Sequence, residues 1–127
     1  MPTAASPPPP PPLAAAPAAL WRTIDGVLTD VDDTLTRDGA VDRPALDALH
    51  ALADAAVPVI AITGRPAGWS EPFVRAWPVA AIVAENGGVL LRRDGATVRV
   101  DFAQDEATRR AHRERLRACA DATARGG

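Results

Sequence analysis

Apolar residues fall along this chain in three short runs, the first two of which are each followed by a stretch of helical period. Ile24-Asp25-Gly26-Val27-Leu28-Thr29 leads as a short strand into an acidic segment, and Val57 to Ile62 and Val79 to Ala84 repeat the pattern. Continuous runs of this length and β-branched content predict buried strands. Between the first two, Asp42-Arg43-Pro44 opens a helix with a capping aspartate and an early proline, and Leu46, Leu49, Leu52 and Ala53 form one apolar stripe. After the second run, Pro66 starts another helix through Trp69, Phe73 and Trp77. The order β-α-β-α-β predicts right-handed crossovers and a parallel sheet covered on both faces, with ligands beyond the carboxyl ends of the strands.

Beyond Gly88 the period changes from helical to alternating. Val89 to Arg93 and Thr97 to Phe102, on either side of Asp94-Gly95, predict a hairpin with a type I′ turn. From Gln104 to about Thr123 acids come first and arginines later, the charge order that suits a helix dipole. Arg109, Arg110, Arg113, Arg115 and Arg117 spread around that helix and predict a solvated face rather than a basic binding surface. At the other end, residues 1–19 are nearly all proline and alanine, with Pro7 to Pro12 unbroken. Such a tail favours extended polyproline II, and no charged residue flanks the prolines to orient docking on a proline-binding domain. The expected organisation is a disordered tail over 1–19, a partial α/β core over 20–103, and a C-terminal helix and tail over 104–127.

Composition narrows the classes open to it. A chain of 127 residues supports one small domain, and with 47% apolar but only 4% aromatic residues its core must be packed by Ala, Val, Leu and Ile. The formal net charge of −2 provides no positive field to gather nucleic acid or anionic lipid, so neither is an expected partner. Cys119 stands alone and cannot form an internal disulfide. The N-terminus lacks a basic region followed by an unbroken apolar one, and no run reaches membrane-spanning length. A cytoplasmic protein is expected.

The candidate chemistry lies where the first two strands end. Carboxylates at i and i+2 beyond a strand point the same way, so Asp30 and Asp32 can face one substrate while Val31 is buried. Two close carboxylates repel unless a cation or a shared proton intervenes, which suits magnesium and lets one act as nucleophile while the other acts as acid. Thr63, Gly64 and Arg65 precede a helix N-terminus, where hydroxyl and amide donors make an anion site. An EF-hand reading fails because Leu35 and Val41 stand where that loop needs glycine and glutamate. His50 and His112 have no partnered ligands in sequence and read as ordinary helix residues.

These residues resemble a known family. Asp30-Val31-Asp32-Asp33-Thr34-Leu35-Thr36 resembles the first motif of haloacid dehalogenase superfamily phosphatases, and Ala61-Ile62-Thr63-Gly64-Arg65 resembles the second. Glu85-Asn86-Gly87-Gly88 is similar to the branch that includes sugar-phosphate phosphatases, with a cap inserted after that strand. The resemblance implies a Rossmann-like parallel sheet followed by a hairpin and a helix that begins the cap region. It implies Asp30 as nucleophile, forming an aspartyl-phosphate, and Asp32 as the acid that protonates the leaving oxygen. It further implies Mg2+ held by Asp30 and Asp32, the latter through its backbone carbonyl, and phosphate held by Thr63, Gly64 and Arg65. The expected substrate is a small phosphorylated metabolite such as a sugar phosphate. The family's third motif supplies a lysine and its fourth further acids; all 14 basic residues here are arginine, so the sequence is expected to be an N-terminal portion. The alternative is a non-catalytic remnant that binds magnesium and phosphate or acts as an interaction module. A receiver domain also begins with paired aspartates, but it needs an aspartate where Glu85 stands and a lysine later.

Overall fold

A computed structural model describes residues 6–126. The part of the expected tail that falls on residues 1–5 lies outside them. Pro7 to Pro12 are exposed and without regular structure, after which a 3₁₀ turn forms at Leu13–Ala15 and a single helical turn, α1, at Ala18–Trp21. The α-helical turn follows Pro17, whose restricted φ suits the residue preceding a first turn. Leu20 and Trp21 remain half exposed.

The strands and helices follow the hydrophobic pattern with shorter bounds. They are β1 (Val27–Asp30), α2 (Arg43–Asp54), β2 (Val59–Ile62), α3 (Ala67–Ala76), β3 (Ala81–Ala84), β4 (Val89–Asp94), β5 (Thr97–Phe102) and α4 (Glu106–Arg125). Asp42 caps α2 as its residue type dictates, its Oδ1 accepting from Ala45 N at 3.1 Å. Of the α2 stripe, Leu49 is buried and Leu46 and Leu52 are half-buried, while Ala53 at the end of the helix is exposed. In α3 the stripe is aromatic: the rings of Trp69 and Phe73 stand 4.5 Å apart and those of Phe73 and Trp77 4.6 Å apart.

All five strands make one sheet in the order β1-β2-β3-β4-β5. The first three are parallel, and β4 and β5 continue the sheet antiparallel from β3, so the hairpin is an extension of the sheet. The expected turn is corrected in detail. Asp94 pairs with Thr97, which makes Gly95 and Ala96 the two central residues. Only Gly95 takes a positive φ, of 59°, whereas Ala96 with its Cβ does not. Those are the φ signs of a type II′ turn rather than I′.

The expectation of helices on both faces is also corrected. The chain steps from β1 to β2 to β3 without reversing direction, so two right-handed crossovers bring α2 and α3 to the same face. One core results, joining Val31, Val59, Ala61 and Ile82 of the sheet side to Leu49 of α2 and Val74 and Trp77 of α3. The opposite face is open: Leu28 is 69% and Ile62 38% exposed. Ile60, Val83 and Leu90 on that face are half-buried. Helix α4 buries no residue and meets the sheet's far edge where the Arg109 guanidinium lies 3.2 Å from the centre of the Phe102 ring.

Candidate active site

The loop after β1 is built around one carbonyl. Val31 is fully buried, and its oxygen accepts from the amides of Thr34, Leu35 and Thr36 at 3.4, 3.0 and 2.9 Å and from the Thr36 hydroxyl at 3.0 Å. This winds residues 31–36 into a tight coil in which Asp33 takes a left-handed φ of 58°, a conformation that aspartate tolerates better than most residues. The expected alternation is kept: Val31 points inward while Asp30 is exposed and Asp32 half-exposed. The Thr34 hydroxyl donates to Asp30 Oδ2 at 3.1 Å, leaving Oδ1 without a protein partner among the described residues.

The loop after β2 faces it. Thr63 is buried, its amide donating to Val83 O at 2.9 Å and its Oγ1 accepting from Arg65 N at 3.1 Å. The hydroxyl proton is therefore left to donate. Arg65 crosses to the first loop, 33 residues earlier in the chain, with Nε 3.2 Å from Asp32 Oδ2 and Nη2 2.9 Å from Oδ1. Its guanidinium also lies 4.6 Å from the centre of the Trp69 ring. The hydrogen bonds to Asp32, and then the Asp32 charge, raise the Arg65 pKa above its already high ordinary value. Arg65, expected from sequence on the substrate phosphate, is here committed to the expected acid.

The structure therefore gathers Asp30, Asp32, Thr63, Gly64 and Arg65 at the carboxyl ends of β1 and β2. It adds Thr34 on Asp30 and the corner after β3, to whose residues sequence reasoning assigned no role in the site. In that corner Glu85 N donates to Arg65 O at 3.0 Å and Asn86 N to Thr63 O at 3.2 Å. Glu85 Oε1 accepts from Ala67 N at 3.1 Å, capping α3 from another loop. The Glu-Asn-Gly-Gly run signals a turn, but nothing local in it signals these partners. A cleft of about 650 Å3 opens beside this corner, between Glu85 to Gly88 and the first turns of α4, which brings Arg109 and Arg113 to its wall. Both arginines pair with Glu106, each at 3.0 Å.

Oxygen donors of this kind fit a hard divalent cation. Magnesium is commonly bound through one or two carboxylates, with water and substrate oxygens completing its shell. The Asp30 carboxylate is of that type, and the Asp32 carbonyl is the second ligand that the resemblance implies. Among the described residues no group of three His, Cys, Asp or Glu side chains comes together, so an all-protein cage is absent there.

Comparison with known proteins agrees with this geometry. Residues 27–114 match the family model of haloacid dehalogenase-like hydrolases. No curated protein matches the chain. Among solved structures it is similar to BT1666 from Bacteroides thetaiotaomicron, studied among phosphatases of the haloalkanoate (HAD) superfamily. That match has 29% identity and a TM-score of 0.54, and covers 76% of this chain and 36% of that one. A haloacid dehalogenase-like hydrolase from B. subtilis shares the fold at 20% identity and a TM-score of 0.54, over 69% of this chain and 30% of that one. This chain thus spans about a third of each of those structures. With the family match extending from the start of β1 into α4, the chain belongs to the haloacid dehalogenase-like hydrolases.

Proposed function

We propose that this chain carries the nucleophile and phosphate loops of a magnesium-dependent phosphomonoesterase acting on a small phosphorylated metabolite, such as a sugar phosphate, in the cytoplasm. The observation that carries this reading is the meeting of the two loops: Arg65 holds Asp32, and β1 pairs with β2 so that Asp30 lies opposite Ile62, the residue before Thr63 and Gly64. The metabolite class rests on the likeness of Glu85 to Gly88 to the sugar-phosphate branch.

The Thr34 hydroxyl fixes Asp30 Oδ2, so that Oδ1 is the oxygen free to attack phosphorus. The new Asp30–phosphorus bond forms as the ester bond breaks, and the departing oxygen takes a proton from Asp32. Water then attacks phosphorus, gives its proton to Asp32 and releases Asp30. Thr63 Oγ1 and the Gly64 amide donate to the phosphoryl oxygens. Arg65 exchanges Asp32 for substrate oxygens, which frees the Asp32 carboxyl for proton transfer. Bound magnesium would screen the repulsion between the Asp30 carboxylate and the anionic substrate.

Release of p-nitrophenol from p-nitrophenyl phosphate with magnesium tests the reading. In a chain extended to carry the lysine and acids of the family's third and fourth motifs, Asp30→Asn should fall to background; equal rates would remove Asp30 as nucleophile. A second reading, a non-catalytic interaction module, is favoured by the open sheet face, on which Leu28 is 69% exposed. Absence of turnover together with concentration-dependent sedimentation would support it.

A further inference from the structure

The corner after β3 spends backbone strain on holding the phosphate loop. Glu85 and Asn86 both take left-handed φ values, 53° and 52°, and Gly87 follows at 96°. Two consecutive non-glycine residues in this region are uncommon and persist only where the surroundings impose them. Here three hydrogen bonds impose them: Glu85 N to Arg65 O at 3.0 Å, Asn86 N to Thr63 O at 3.2 Å, and Ala67 N to Glu85 Oε1 at 3.1 Å. The acceptors and donor they reach lie on both sides of Gly64, the residue whose amide faces the anion in the proposed function. The Asn86 carboxamide occupies the space left by the missing side chain, since a Cβ on Gly64 would stand 3.0 Å from Asn86 Oδ1.

We infer that Glu85 is a positioning residue of the phosphate loop, bracing Thr63 to Ala67 from the end of β3 so that the Thr63 hydroxyl and the Gly64 amide converge on one anion. This rests on the phosphatase reading and deepens it. Glu85 itself does not touch the substrate. What it supplies is a side-chain acceptor for an otherwise free amide at the start of α3, and the acceptor rather than its charge is the operative feature. A glutamine at this position retains that acceptor, and an alanine does not.

The test is binding of inorganic phosphate by the full-length chain with magnesium, followed by titration calorimetry, alongside amide exchange at Ala67. Glu85→Ala should weaken phosphate binding roughly tenfold and speed Ala67 exchange, while Glu85→Gln should stay within about threefold of the wild type in both. Wild-type phosphate affinity in Glu85→Ala would overturn the inference. Equal loss in Glu85→Ala and Glu85→Gln would also overturn it, by making the charge responsible. Failure of the wild-type chain to bind phosphate would instead overturn the phosphatase reading, and the positioning role would fall with it.

Discussion

Arg65 is the side chain on which the two halves of the site depend. Its fork grips both oxygens of Asp32, and its flat face rests on Trp69, a geometry lysine cannot reproduce. In the proposed reaction it must trade one anion for another. Arg65→Ala and Arg65→Lys should both raise KM for p-nitrophenyl phosphate, by roughly tenfold for the alanine, with a smaller effect on kcat. Steady-state kinetics would check this, and a KM like that of the wild type in both would separate Arg65 from the substrate. Because its pKa is raised on folding, the stabilisation is complete below arginine's ordinary titration range and is lost only above it. The contact should therefore hold from neutrality to about pH 10, with no change in Trp69 emission. At this scale the candidate residues were legible by type, because an aspartate pair and Thr-Gly-Arg suggest their chemistry wherever they stand. The fork from Arg65 to Asp32 was not legible, since it depends on β1 and β2 lying side by side.

Among elements, α2 was the most legible, since its start is written in three adjacent residues. Asp42→Ala removes the oxygen that accepts from Ala45 N and should cost about 1 kcal/mol in denaturant unfolding. Helix α4 was equally clear in sequence, but it is held differently. Backbone donation from Thr108 lowers the Asp105 pKa, and the hydrogen bond from Arg113 followed by the Arg109 charge lowers that of Glu106. A carboxyl lowered on folding contributes stability above the ordinary carboxylate range and loses it as pH falls through the folded value. With no buried residue to retain it, α4 should fray in acid before the sheet does. Ellipticity at 222 nm should fall below about pH 4, while emission of the buried Trp77 holds until lower pH. Simultaneous loss of both signals would show that α4 and the core unfold together. The hairpin turn was misjudged by one residue because Asp-Gly favours I′ locally, whereas the ladder pairs Asp94 with Thr97 and makes Ala96 a central residue.

For the whole molecule the decisive feature is the uncovered face. Leu28 and Ile62, with Ile60, Val83 and Leu90 half-buried beside them, present apolar surface next to the free edge of β1. Open edges with apolar faces favour association. If the second reading holds, sedimentation velocity over a range of concentrations should show self-association that Leu28→Lys reduces; no change in the variant would place any contact elsewhere.

The sequence by itself determined the elements and the two loops at the ends of β1 and β2, because each rests on residues within one turn or one strand of each other. Only the tertiary structure decided which face both helices cover, which acid Arg65 holds and which amide Glu85 caps. Strand order sets the first, and the other two join residues 33 and 18 positions apart, separations at which local pattern carries no information.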